Sequence, residues 1–203
     1  MKILRAIIAS TAFAAIASNA MADNIRGFYV GVQGGGNHLY GRTGSNSENS
    51  KSGGVHLGLI EIGPKGGWFG FGLLFALEGY YDFMQATLSK TANENRVQQR
   101  NLYGLNLKLG QALDSKVWHV YGILGIAFAD TQLKTADATG ERTFIGFQWG
   151  LGVGREVGPF VLGVEGTQTL FGRKTITAQG SERHTATIRP RALSLKGRVS
   201  YLF

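Results

Sequence analysis

Apolar residues recur with a period of two along most of this 203-residue chain, in segments of ten or more residues separated by polar stretches. That period places alternate side chains on opposite faces of an extended strand. The C-terminal segment is the most regular. Phe203, Tyr201, Val199, Gly197, Leu195 and Leu193 share one face, and Leu202, Ser200, Arg198, Lys196 and Ser194 share the other. The same sense recurs upstream. Tyr103, Leu105, Leu107 and Leu109 oppose Gly104, Asn106 and Lys108. Ile145, Phe147, Trp149, Leu151 and Val153 oppose Gly146, Gln148, Gly150, Gly152 and Gly154. Phe71, Leu73, Phe75, Leu77, Gly79, Tyr81 and Phe83 oppose Gly72, Leu74, Ala76, Glu78, Tyr80 and Asp82.

One face is therefore bulky and apolar, and the other combines glycine with polar or charged residues. A soluble core needs its large apolar side chains inside, but the interior of a small barrel is narrow. If the bulky face meets lipid instead, glycines fit a crowded lumen and charges pair there. Closure also satisfies every backbone group, as hydrocarbon demands. The pattern predicts an all-β, eight-stranded antiparallel up-and-down transmembrane barrel, with strands near 25–40, 53–63, 68–86, 98–112, 117–131, 142–157, 160–172 and 187–203. The connections at 64–67, 113–116 and 158–159 are short, and Pro64 and Pro159 sit in two of them. Those at 41–52, 87–97, 132–141 and 173–186 are longer and polar. Short turns belong on the periplasmic side with both termini, and long loops face outward. Two strands are less regular. Val55, Leu57 and Leu59 run into Glu61 on one face, which either a bulge or an interfacial position would explain. In the fifth strand both Val120/Leu124/Ile126/Phe128 and Tyr121/Ile123 are apolar, which leaves its facing open.

Composition narrows the class. Glycine supplies 31 of 203 residues, roughly twice its usual share. With only 3 prolines and no glycine-every-third repeat, collagen is excluded. The absence of cysteine excludes a disulfide scaffold. Much of the glycine falls at inward positions such as Gly104, Gly146, Gly150, Gly152 and Gly154. Gly79 and Gly197 fall on the lipid face, where lumen crowding does not account for them. At the N-terminus, Lys2 and Arg5 precede an apolar run from Ile7 to Ile16, and Ala20-Met21-Ala22 supplies small residues at a cleavage site. The run is too short to span a bilayer. The expected organisation is a signal peptide over 1–22 and a barrel domain over 23–203. Loss of Lys2 and Arg5 lowers the formal charge from +8 to +6, so the exported chain stays basic.

Gly27-Phe28-Tyr29-Val30-Gly31-Val32 resembles the opening strand of the small outer-membrane β-barrel family of opacity proteins and porin-like barrels. Gly150-Leu-Gly-Val-Gly154, a short turn and Val164-Glu165 resemble that family's sixth and seventh strands. Ser200-Tyr201-Leu202-Phe203 resembles its terminal strand. The resemblance covers essentially all of 25–203. It implies residence in the outer membrane of a Gram-negative bacterium, with Tyr201 and Phe203 read by the outer-membrane assembly machinery. Family members include surface antigens and adhesins, so location is implied better than activity.

Catalysis requires a nucleophile beside a base, or clustered acids near the outer rim. The four histidines are scattered: His38 by the first loop, His56 in the second strand, His119 near a periplasmic turn, and His184 in Ser181-Glu-Arg-His184. A serine, an acid and a histidine that close together in a loop arise readily by chance. The glycines of Gly150-x-Gly-x-Gly154 share a strand face with no helix after them, so they are not a phosphate cradle. No metal-ligand spacing appears and no cofactor is implied, so the expectation is no enzyme. The inward charges are three acids, Glu78, Asp82 and Glu165, and three bases, Lys108, Lys196 and Arg198. This balance predicts interior salt bridges that plug the lumen, with an ion pathway as the alternative. Arg173, Lys174, Arg183, Arg189 and Arg191 face a single acid, Glu182, in and beside the last loop. They are candidates for contacts with lipopolysaccharide phosphates. No nucleic-acid motif accompanies the positive charge. The expected protein is a monomer with a structural and surface-interaction role, its loops presented for adhesion or contact with a host or extracellular ligand. A narrow porin-like channel and a lipid A-modifying enzyme are the alternatives.

Overall fold

The computed structural model describes residues 25–41, 47–62, 73–90, 96–113, 118–135, 138–179 and 183–203. The expected signal peptide and the 64–67 turn lie outside the described residues. Ten strands are present among them: β1 (Ile25–Gly41), β2 (Ser47–Ile62), β3 (Leu73–Lys90), β4 (Arg96–Leu113), β5 (Trp118–Lys134), β6 (Thr139–Val157), β7 (Phe160–Phe171), β8 (Lys174–Gln179), β9 (Arg183–Ile188) and β10 (Pro190–Leu202). Eight of them form a closed barrel in the order β1-β10-β7-β6-β5-β4-β3-β2, and β8 and β9 form a separate hairpin. Closure is made by β1 on β10, antiparallel from Tyr29 opposite Leu202 to Gly41 opposite Pro190. Within the barrel, every described strand is paired on both sides and none is an edge. Pro190, which has no N–H to donate, sits at the first position of its strand, where the ladder does not need one.

The facing follows the inversion read from the pattern. Leu105, Leu195 and Leu151 are 58%, 64% and 69% exposed, whereas Glu78 and Asp82 are 1% exposed. On β3 the outward positions from Leu73 to Phe83 are apolar or glycine. These ten residues of strand, tilted as in barrels of this size, rise roughly 25 Å, the height of a hydrocarbon band. Trp118, Phe160, Tyr201 and Phe203 ring the periplasmic end on the outside, with Phe160–Tyr201 and Tyr201–Phe203 centroids 5.4 and 4.9 Å apart. Toward the outer end Tyr81, Tyr103 and Phe128 stack across three strands.

Both irregular strands are resolved. In β2, Val55 and Leu59 are exposed while His56 and Gly58 are buried, and neither of its pairings contains a register shift. Glu61 therefore stands at the periplasmic end of the strand, opposite Arg26, rather than beyond a bulge. In β5, Val120, Leu124 and Ile126 face out, and Tyr121 and Ile123 face in. Both faces are apolar because Tyr121 and Ile123 join a small apolar cluster with Tyr29, Leu74, Ala76 and Ala112 at the periplasmic end of the lumen.

Boundaries at the outer ends of several strands differ from the sequence pattern. β2 begins at Ser47, β4 at Arg96 and β6 at Thr139, each before the alternation becomes visible. Backbone pairing continues above the membrane, where neither face needs to be apolar, so periodicity is lost before the strand ends. The bulge between Gln99 and Asn101 adds a change of phase, with Gln99 inward below it and Leu102 inward above it in sequence. The largest difference is at 173–186. This segment is not an open loop but most of a hairpin, and the final barrel strand starts at Pro190 rather than 187. The 158–159 turn is a two-residue connection between Val157 and Phe160, with Gly158 at φ 60°. That value suits the first position of a type II′ turn, and Pro159 supplies the negative φ required next.

Inward glycines have little space. A Cβ on Gly146 would lie 2.7 Å from Phe171 Cδ1, whereas one on the outward Gly79 meets nothing nearer than Leu105 Cδ2 at 3.7 Å. Gly146→Leu is expected to lower the urea midpoint in detergent by an overpacking cost of about 1–3 kcal/mol, and Gly79→Leu to leave it within about 0.5 kcal/mol. Leu105→Arg, placing charge in the hydrocarbon band, is expected to cost about 2–4 kcal/mol in the same titration. β-type circular dichroism of the refolded protein confirms that a barrel is being compared.

Candidate functional site

The six predicted lumen charges come together inside the barrel in two groups. Glu78 on β3, Lys108 on β4, Glu165 on β7 and Arg198 on β10 form a four-membered ring across the axis. Lys108 Nζ lies 2.9 Å from Glu78 Oε2 and 2.6 Å from Glu165 Oε1. The guanidinium of Arg198 donates to the same two carboxylates through its two terminal nitrogens. Asp82 and Lys196 make the second ion pair. All six residues are buried. Because β3, β4, β7 and β10 point their side chains at one axis, residues 30 to 120 positions apart in sequence meet at hydrogen-bond distance.

Around the charges lies a polar shell that charge counting did not identify. Tyr29 donates to Glu78 Oε2 at 2.8 Å, Tyr121 to Glu165 Oε1 at 2.8 Å, and Gln33 to Asp82 Oδ1 at 2.7 Å. Lys108 also lies over the Tyr121 ring, and Lys196 over the Tyr80 ring, at 5.4 and 5.3 Å. Gln148 accepts from Tyr80 and Thr169 and donates to Asn106. Every one of these residues occupies an inward phase of its strand, so extending the alternation to neutral polar side chains would have found them. Such hydrogen bonds satisfy the remaining lone pairs of the carboxylates, which a buried ion pair needs to offset its desolvation.

Packed side chains flank the ring on both sides. Above it, Leu39, Met84, Leu102, Leu133, Phe144 and Phe171 pack with Ile176 and Ala178 of β8 and Ile188 of β9. β8 lies against β6 and β5, so the hairpin folds its apolar face into the mouth. Below it are the Tyr29–Tyr121 cluster and a cavity of about 50 Å³ bordered by Lys108, Arg198, His119 and Ser200. A space of that size suits a few water molecules rather than a solute.

The remaining candidates do not converge. His38 is at the outer rim, 2.7 Å from Asn49 Oδ1. His119 is buried at the periplasmic end, 3.1 Å from Glu156. His184 lies on β9, while Ser181 and Glu182 are outside the described residues. His56 Nε2 lies 2.7 Å from Ser200 Oγ, a serine–histidine contact not visible in the spacing. It is buried beside the ion ring, and no carboxylate orients its other nitrogen, so it lacks the third member that activates a nucleophile. Among the described residues no group of three or more His, Asp or Glu converges as a metal site. Arg173, Lys174, Arg189 and Arg191 cluster at the base of the hairpin, where Lys174 pairs with Ile188, while Arg183 lies near its tip opposite Gln179. Lys174 Nζ donates to the Thr143 carbonyl at 3.0 Å.

A closed barrel with an apolar outside, aromatic girdles and a charged, plugged interior defines an integral membrane β-barrel. The chain belongs to the outer membrane protein beta-barrel domain family, which it matches over residues 7–195, and it resides in the outer membrane. Among solved structures it is similar to Neisserial surface protein A (NspA), with a TM-score of 0.53 at 15% identity, covering 87% of this chain and 97% of that one. Looser likenesses are to Ail of Yersinia pestis in complex with the heparin analogue sucrose octasulfate (TM-score 0.46, 10% identity, 88% and 99% covered). The protease OmpT of Escherichia coli gives a TM-score of 0.43 at 7% identity, with 91% and 99% covered. At these identities the likeness is one of fold. No curated protein matches the chain.

Removing one member of the ring strands a buried charge. Glu165→Gln, leaving Lys108 and Arg198 to share Glu78, is expected to cost about 3–5 kcal/mol in detergent unfolding. Asp82→Asn combined with Lys196→Met is expected to cost less than Asp82→Asn alone, because the double change leaves no unpaired charge. An equal or larger loss in the double variant would contradict the pairing.

Proposed function

We propose that this protein has a structural and surface-interaction role in the outer membrane, with its extracellular rim as the working surface. On this reading residues 1–22 direct export and are removed, Tyr201 and Phe203 are read during assembly, and the barrel acts as a monomer. The observation that carries the reading is the filled lumen. A neutral ion ring lies between two apolar clusters, and the upper cluster includes side chains of the hairpin itself. A structure closed in this way offers partners its outer connections rather than a passage. The exposed Thr175, Thr177, Gln179 and Thr185 of the hairpin, with Arg173 and Arg189 at its base, form a polar, basic surface above the membrane. Such a surface suits anionic partners, whether the phosphates of neighbouring lipopolysaccharide or an extracellular or host polyanion.

Replacing residues 42–46, 91–95, 135–138 and 180–182 with short neutral turns, together with Arg173→Gln and Arg189→Gln, is expected to abolish adhesion of expressing cells to a partner surface while heat-modifiable migration is preserved. Adhesion that survives in the folded variant overturns the surface role. In planar bilayers the wild-type protein is expected to show no reproducible conductance steps. Steps altered by Lys108→Gln or Glu78→Gln would establish the channel instead.

A further inference from the structure

The lipid-facing wall is not uniform. Where β2, β1, β10 and β7 adjoin, Gly53 pairs with Gly34, Gly34 with Gly197, and Gly197 with Val164. One outward position closer to the extracellular side, Lys51 pairs with Gly36, Gly36 with Leu195, and Leu195 with Gly166. Five outward positions in one patch thus lack side chains, and the two nearer the extracellular side, Gly36 and Gly166, border a groove of about 540 Å³ together with His38, Asn49, Lys51 and Leu195. That volume lies within the range of ligand sites.

These glycines differ from those of the lumen. A Cβ on Gly36 or Gly166 meets nothing within 4 Å, and on Gly34, Gly53 and Gly197 the nearest atoms are backbone oxygens at 3.6, 3.8 and 3.9 Å. Packing within the barrel therefore does not require glycine at any of the five. Glycine inside a strand weakens it, and it marks places where a ligand or another chain approaches closely. Elsewhere on the lipid-facing wall most outward positions carry a large apolar side chain, such as Val32, Val55, Val164 and Leu195.

The groove also has a charged upper rim. Lys51 borders it directly. Arg191 pairs with Tyr40 two outward positions above Gly36, at the end of the outward face of β10. Strand spacing and rise place the Lys51 and Arg191 backbones roughly 17 Å apart. His38 and Asn49, joined at 2.7 Å, add polar atoms one outward position beyond Gly36 and Lys51 on the extracellular side. Between the two rims of the barrel, the outward positions of β1, β2, β7 and β10 hold no carboxylate. Ten residues of β10 separate Tyr201 at the periplasmic girdle from Arg191, a rise of roughly 25 Å. Arg191 therefore stands at the outer interface, Lys51 beside Gly36 at the top of the glycine patch, and the other glycines in the outer half of the hydrocarbon.

We infer that this groove is a binding site for lipid A of the outer leaflet, with one acyl chain against Gly34, Gly36, Gly53 and Gly197 and its phosphates on Lys51 and Arg191. Lipid A carries chains and separated phosphates in the order the wall presents apolar floor and cationic rim. A second copy of this chain fits less well. A two-fold contact would appose Lys51 and Arg191 of both copies with no carboxylate to pair them. The site is on the barrel wall and is independent of any ligand taken by the extracellular loops.

Native mass spectrometry of the refolded full-length barrel in detergent, titrated with bis-phosphorylated hexa-acylated lipid A, tests the assignment. The wild-type protein is expected to retain one lipid A. Gly34→Leu with Gly36→Leu, which puts one side chain into the groove and one on the glycine floor below it, is expected to weaken retention about tenfold. Lys51→Gln with Arg191→Gln is expected to weaken it about tenfold as well, while leaving affinity for dephosphorylated lipid A unchanged. Heat-modifiable migration establishes that each variant is folded. Should the glycine pair not fold, Gly166→Leu and the cation pair carry the test. Wild-type protein that retains no lipid A, or folded variants that retain it as well as wild type, overturn the site. A dimer in the wild type that the glycine variants abolish overturns it in favour of self-association.

Discussion

In hydrocarbon every backbone donor and acceptor must find its partner within the protein, and the pairing of β1 with β10 is what makes this possible here. Closure at eight strands fixes a narrow lumen, and the remaining architecture follows from that width. Inward positions at crowded points are glycine, because a Cβ at Gly146 or Gly152 would meet the ring of Phe171 or Tyr121. Charges that point inward have no bulk water to solvate them, so they must match in number and in position. The ring of Glu78, Lys108, Glu165 and Arg198 meets both conditions, with two carboxylates and two cations held by four strands.

The lumen is arranged in layers. An apolar cluster at the periplasmic end, a neutral ion ring with tyrosine and glutamine donors, and a larger apolar cluster under the hairpin succeed one another along the axis. β7 and β10, at 12 and 13 residues, are shorter than their neighbours of 16 to 19. The low stretch of wall they leave is where β8 and β9 turn inward and cover the mouth. Chemical variety is left to two exteriors, the polar rim above the membrane and the uneven wall within it.

Much of this was legible in the alternation. Outside β2 and β5, whose facing the pattern left open, the outward faces of the strands, the inward placement of all six charges and the sense of the termini follow from period two and from the preference of lipid for bulky apolar side chains. Less was legible where that preference stops acting. Above the membrane both faces of β2, β4 and β6 are polar, and the strands continue without a periodic signature. Among the described residues the hairpin brings Ile176, Ala178, Ala186 and Ile188 to the apolar cluster, too few and too polar in their surroundings to separate from a loop. The contact of His56 with Ser200 joins residues 144 positions apart and has no local signature.

By itself the sequence determined the class, the facing and the charge balance of this protein, because each depends on the solvent that a side chain meets, and a strand's period reports it directly. Register, closure and packing decided the rest. Only the barrel's pairing shows that Glu78 and Glu165 share the same two cations, that a polar segment bends into its own mouth, and that five glycines from four strands adjoin on the lipid side. These are relations between residues on different strands, and local patterning carries no information about which rows of two strands meet.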